Sequence, residues 1–95
     1  MSTYKTREIK AKLTSKGFQE YESHHTILRL CVGGRITKIR TQISHGLSEY
    51  GDNLLSLMAK QLKLRRHELD DLIECPMTKE AYIDHLQKNG HIRIQ

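Results

Sequence analysis

Gly33-Gly34 stands between two runs, residues 25–32 and 35–43, that are rich in Ile, Leu, Val and Thr. Adjacent glycines supply the positive φ angles of a two-residue hairpin turn, so the middle of this chain is read as an antiparallel pair of strands. Whatever precedes and follows that pair must cover one of its faces. Alternation sorts the first strand: Thr26, Leu28, Leu30 and Val32 point inward, while His25, Ile27, Arg29 and Cys31 point out. The return strand divides less cleanly. Ile36, Lys38 and Arg40 share one parity and Arg35, Thr37, Ile39, Thr41 and Ile43 the other, a mixture that a long twisted strand or a bulge produces. Arg29, Lys38 and Arg40 are then expected together on a solvent-facing sheet surface.

The flanks complete an α+β pattern. Thr6 is placed to cap a first helix, with Glu8 in its first turn, Ile9 and Leu13 one turn apart and Gly17 as its stop. Residues 18–22 read as a brief strand and 44–51 as a loop. Leu54, Leu55, Met58, Gln61 and Leu62 recur at helical spacing over about 52–63. A third helix over about 65–74 turns Leu69, Leu72 and Ile73 inward and ends before Cys75-Pro76, since a residue preceding Pro avoids helical geometry. Thr78 caps a fourth, with Met77 and Tyr82 at staple spacing and Gly90 as its end. The tail, 91–95, alternates Ile with polar residues and reads as an edge strand or a frayed end. The order is helix, three-stranded antiparallel sheet, helix, then two further helices, in one domain spanning 1–95.

Several classes are set aside by composition. Ninety-five residues at 37% apolar content make one compact domain. No run reaches the roughly 18 apolar residues of a membrane span, and residues 1–16 lack the apolar segment of an export signal, so a cytoplasmic protein is expected. Cys31 and Cys75 are too few for a disulfide framework and are read as small, reduced, buried side chains. Charge is uneven: residues 1–47 hold nine Lys/Arg against three Asp/Glu, and residues 48–95 hold seven against eight. A basic half on a small domain attracts polyanions, nucleic acid above all.

Ser23-His24-His25 opens the central strand within this basic half. An imidazole exchanges protons near neutral pH, which suits it to deprotonate a ribose 2′-hydroxyl or protonate a leaving oxygen, while nearby Lys and Arg hold the phosphate. Strand neighbours face opposite sides, and parity makes His25 the exposed one unless His24 precedes the regular strand. A zinc site is the competing chemistry, since His24, His25, His45, Cys31 and Cys75 are all ligand types. The spacing argues against it, with no Cys-x-x-Cys and no His-x-x-x-His at His24. No metal or cofactor is expected. Gly33-Gly34 lacks the Lys-Ser/Thr of a phosphate loop. His67, His85 and His91 are read as solvent-facing, and Glu68, Asp70, Asp71 and Glu74 as a solvated helix face.

Arg7-Glu8-Ile9 with Leu13, Gly17-Phe18, Ser23-His24-His25, Gly34-Arg35, and Ser44-His45-Gly46 ahead of Gly51 and a Leu-rich helix occur in this order over residues 4–64. In these features the chain resembles the HicA family of toxin-antitoxin systems. The resemblance implies a fold like a double-stranded-RNA-binding domain and a metal-independent endoribonuclease that acts on messenger RNA through one histidine of a Gly-Ser-His motif. It also implies a HicB-like antitoxin partner. Carried over by motif, the catalytic position is His24, which follows Ser23, so His24 and His25 stand as alternatives. Glu22 occupies the place of the motif's Gly, and residues 65–95 extend beyond a minimal member. The first expectation is a ribonuclease with His24 or His25 as general acid/base, Ser23 as a positioning hydroxyl, and Arg29, Arg35, Lys38 and Arg40 as phosphate contacts. The alternatives are a non-catalytic RNA-binding module and a protein-interaction domain that docks through its acidic C-terminal helices.

Overall fold

The computed structural model describes residues 3–74 and 76–92. The chain runs β1 (Tyr4–Lys5), α1 (Thr6–Ser15), β2 (Phe18–Glu22), β3 (Thr26–Val32), β4 (Arg35–Ile43), β5 (Glu49–Tyr50), α2 (Asp52–Gln61), α3 (Arg66–Glu74) and α4 (Lys79–Lys88). This is the expected α+β order, with a three-stranded antiparallel sheet in the order β2-β3-β4. Gly33 and Gly34 adopt φ of 60° and 80°, the double left-handed conformation of a tight hairpin. Cys75, expected to be buried, and the end of the 91–95 tail lie outside the described residues.

Helices α1 and α2 cover one face of the sheet, and α3 packs against both of them. Leu28, Leu30, Ile39 and Ile43 meet Ile9 and Leu13 of α1 and Leu55 and Met58 of α2 in a core that also takes in Leu69, Leu72, Ile73, Tyr82 and Leu86. The two C-terminal helices therefore share the core of the first 64 residues. At α4, the Thr78 hydroxyl accepts from Ala81 N at 3.0 Å, the expected N-cap.

The structure corrects several expectations. Thr6 does not cap α1: Lys5 holds that position, and the Thr6 hydroxyl donates to Leu47 O at 3.2 Å, fastening the helix start to the 44–48 loop. That segment ends in a strand, since Tyr4↔Tyr50 and Lys5↔Glu49 form a two-stranded ladder beside the main sheet. The mixed parity of β4 comes from a bulge. Arg29 pairs with Arg40 but Cys31 with Ile36, so residues 37–39 all stand opposite Leu30, and the Thr37 hydroxyl donates to Leu30 O at 2.9 Å. Lys38, Arg40 and Gln42 are outward and exposed, Ile39, Thr41 and Ile43 buried, and Ile36 is left 52% exposed. Nor is the acidic group merely a solvated face. The Tyr4 hydroxyl donates to Asp70 and Glu74, Arg66 pairs with Asp70 at 2.6 Å, and Glu68 accepts from Arg65 N at 2.7 Å.

Candidate functional site

Strands β2 and β3 end in register at Glu22↔Thr26, and Thr26 pairs on its other side with Ile43, the last residue of β4. The Ser23-His24-His25 turn and the Ser44-His45 loop therefore leave the sheet at the same end. Ser23 N donates to His25 O at 3.0 Å, closing the turn, and Ser23, His24 and His25 are all exposed. His25 is exposed as expected, and His24 is exposed too, because β3 starts only at Thr26 and both histidines precede the regular strand.

The sheet end is ordered by Glu22. The Thr26 hydroxyl donates to both of its carboxylate oxygens, at 3.2 and 3.1 Å, and His45 Nε2 lies 3.1 Å from Oε1. A hydrogen bond with Glu20, then those with Thr26 and His45, hold the Glu22 carboxyl below the usual carboxylate range. Tyr50 steadies the far side by accepting from Ser44 N at 3.0 Å. Beside this group is a cavity of about 190 Å³ lined by Arg7 and Lys10 of α1 with Thr26, Ser44, His45 and Leu47. Lys10 is paired with Glu20 at 3.3 Å. A carboxylate bonded to one nitrogen of an imidazole fixes its tautomer and leaves the other nitrogen free to take or give a proton.

Sequence reasoning missed His45, Arg7 and Lys10 as members of this site. The signal was present: Ser-His occurs at the end of β2 and again at the end of β4, the two strands that flank β3, and antiparallel order brings those ends together. Arg7 and Lys10 lie three residues apart on α1, hence on one helix face.

The four predicted phosphate contacts are placed elsewhere. Arg29 and Arg40 are a cross-strand pair on the outer face of the sheet, Lys38 is exposed in the bulge, and Arg35 follows the Gly33-Gly34 turn at the opposite end from the histidines. None of them lines the His45 cavity, and neither do Ser23, His24 and His25. His67 is exposed as expected, whereas His85 and His91 are half-buried, with His85 Nε2 3.1 Å from Lys63 O. Among the described residues no three His, Cys, Asp or Glu side chains gather as a metal-binding group. Helix α4 meets the sheet far from the histidines, where Tyr82 stacks on Phe18 at 6.0 Å between ring centroids.

No family model, curated protein or solved structure matches this chain. Among the described residues, no helix is long and apolar enough to cross a membrane.

Proposed function

We propose that this protein is a HicA-like, metal-independent endoribonuclease that cleaves messenger RNA in the cytoplasm and is held in check by a HicB-like antitoxin. The observation that carries the reading is the exposed Ser23-His24-His25 turn at the same sheet end as the Glu22–His45 pair and the Arg7/Lys10 cavity. The chemistry is an in-line transfer within the RNA. One imidazole takes the proton of a ribose 2′-hydroxyl, and that oxygen attacks the adjacent phosphorus. The bond to the 5′-oxygen breaks, and the departing oxygen receives a proton, leaving a 2′,3′-cyclic phosphate and a 5′-hydroxyl. His24 or His25 supplies the general acid/base, with Ser23 positioning the phosphate. His45, oriented by Glu22, is the second proton-transfer group, and Arg7 and Lys10 receive the transition-state charge.

The test is cleavage of an RNA transcript by the purified wild type and by H24A/H25A and H45A variants. Cyclic-phosphate ends are expected from the wild type, with a loss of about 10²–10⁴-fold when a proton-transfer group is removed. Cleavage undiminished in H24A/H25A removes the proposal. Salt-sensitive binding without cleavage products identifies a non-catalytic RNA-binding module instead.

A further inference from the structure

The outer face of the sheet is covered by no element of the described residues, and it is not part of the His45 cavity. Its register is explicit: Tyr21, Ile27 and Gln42 form the row nearest the histidine turn, Gln19, Arg29 and Arg40 the next, and Cys31 and Ile36 a third. Lys38, exposed in the bulge, continues toward the Gly33-Gly34 end, whereas Arg35 pairs with Val32 on the opposite face. No Asp or Glu occupies an outward position in these rows, and among the described residues none of Arg29, Lys38 and Arg40 forms an ion pair. Two arginines directly opposite each other destabilise a sheet. This face thus combines unneutralised cations with an aromatic ring. Tyr21 is 37% exposed, the Arg29 guanidinium lies 5.7 Å from its ring centroid, and its hydroxyl donates to Gln19 Oε1 at 2.8 Å. The guanidinium lies over the Tyr21 ring, and Ile27 is the ring's cross-strand neighbour on β3.

We propose that this face binds a single-stranded polynucleotide, with a base stacked against the Tyr21–Arg29 pair and the backbone running along Arg40 and Lys38. Base stacking on an aromatic ring next to a basic track is the chemistry by which single strands are held, and it requires unpaired bases. A duplex hides its bases' flat faces and gains only the charge. Successive outward rows are about 7 Å apart along the strands, so the track leads from the β4 bulge to the Tyr21 row, two residues short of Ser23. The assignment rests on the nucleic-acid reading above and deepens it: the strand is single, and its scissile phosphate lies beyond the Tyr21 row at the histidine end.

The experiment uses the full chain carrying H24A/H25A/H45A, so that the probe stays intact. Fluorescence anisotropy follows a labelled 12-nucleotide single-stranded RNA, the same strand as DNA, and a 12-base-pair RNA duplex. Tyr21→Ala is expected to weaken single-strand binding about 5- to 100-fold and duplex binding by less than about twofold, while Tyr21→Phe retains it. R29A/R40A is expected to weaken all three probes and to flatten the salt dependence. Tyr21-dependent binding of either single strand supports the site, and the tighter of the two names its ligand. Single-strand affinity unchanged in both Tyr21→Ala and R29A/R40A overturns it, as does a co-purified protein partner whose binding needs Tyr21 while RNA binding does not. Failure of the wild type to cleave RNA, alongside Tyr21-dependent binding, removes the ribonuclease reading and leaves this one standing. Cleavage that persists at wild-type rate in Tyr21→Ala on single-stranded substrate does the reverse.

Discussion

Arg29 and Arg40 face each other across β3 and β4 without a carboxylate between them, and Glu22 at the sheet end is tied to Thr26 and His45. Both arrangements spend local stability or substrate affinity unless something else is gained. For the arginines the cost is measurable. Arg40→Gln keeps the stem that shields the sheet and removes the repulsion, so it should raise unfolding stability by about 0.2–1 kcal/mol in low salt, with the gain shrinking as salt is added. Urea denaturation at two ionic strengths checks this, and a variant less stable than the wild type in low salt would show that the pair is not repulsive in place. Glu22 was legible in the sequence only as the wrong residue in a Gly position. Its role comes from two partners four and 23 residues away, and only the strand register brings them within reach.

Among the elements, those with a physical period or a cap were readable and those without were not. Alternation in β3, the paired glycines and the Thr78 cap each name a local geometry that the tertiary structure keeps. Strands β1 and β5 are two residues long and have no period to read. Helix α2 is closed by Lys63 at φ 63° rather than by a glycine, so no stop residue marked its end. The bulge in β4 gave a disordered parity but not its own position. Packing of α3 was illegible for another reason: its acids look like a solvated face until Tyr4, 66 residues from Asp70, supplies the hydroxyl they accept. That contact fastens α3 to the β1–β5 ladder. Tyr4→Phe keeps the ring and deletes the donor, leaving half-buried Asp70 with Arg66 alone and exposed Glu74 without the hydroxyl. A loss of about 1.5–3 kcal/mol in unfolding free energy is expected, the range for hydrogen bonds to charged groups. A loss below about 0.5 kcal/mol would mean that water replaces the hydroxyl and that the apolar core alone holds α3.

At the scale of the molecule, the two sides of the sheet differ in what they hold. The outer side is open and cationic, and the inner side buries three phenols, Tyr4, Tyr50 and Tyr82; two of them, Tyr4 and Tyr82, bear on the pH dependence of stability. The Tyr82 ring is fully buried, its hydroxyl donates to Leu62 O at 2.8 Å, and burial pushes its pKa up. Tyr4 is raised too, by burial first and then by Glu74 and Asp70. In the unfolded chain both phenols titrate near the ordinary value of about 10. Their folded pKa values lie above that, so as pH rises past 10 the unfolded chain releases protons that the folded chain retains. Stability contributed by these groups is present below pH 10 and is lost as pH climbs toward the folded values, by about 1.4 kcal/mol per pH unit for each phenol. Urea midpoints measured at pH 8, 9, 10, 10.5 and 11 should therefore be level up to about pH 9.5 and fall beyond it. Tyr82→Phe starts lower, having lost the bond to Leu62, yet its decline above pH 10 should be shallower than the wild type's by about one phenol's slope. Parallel declines in the two proteins would mean that Tyr82 ionises as readily folded as unfolded. The apolar joint between α4 and the sheet would then be open to water, and the C-terminal helices would no longer be part of one core.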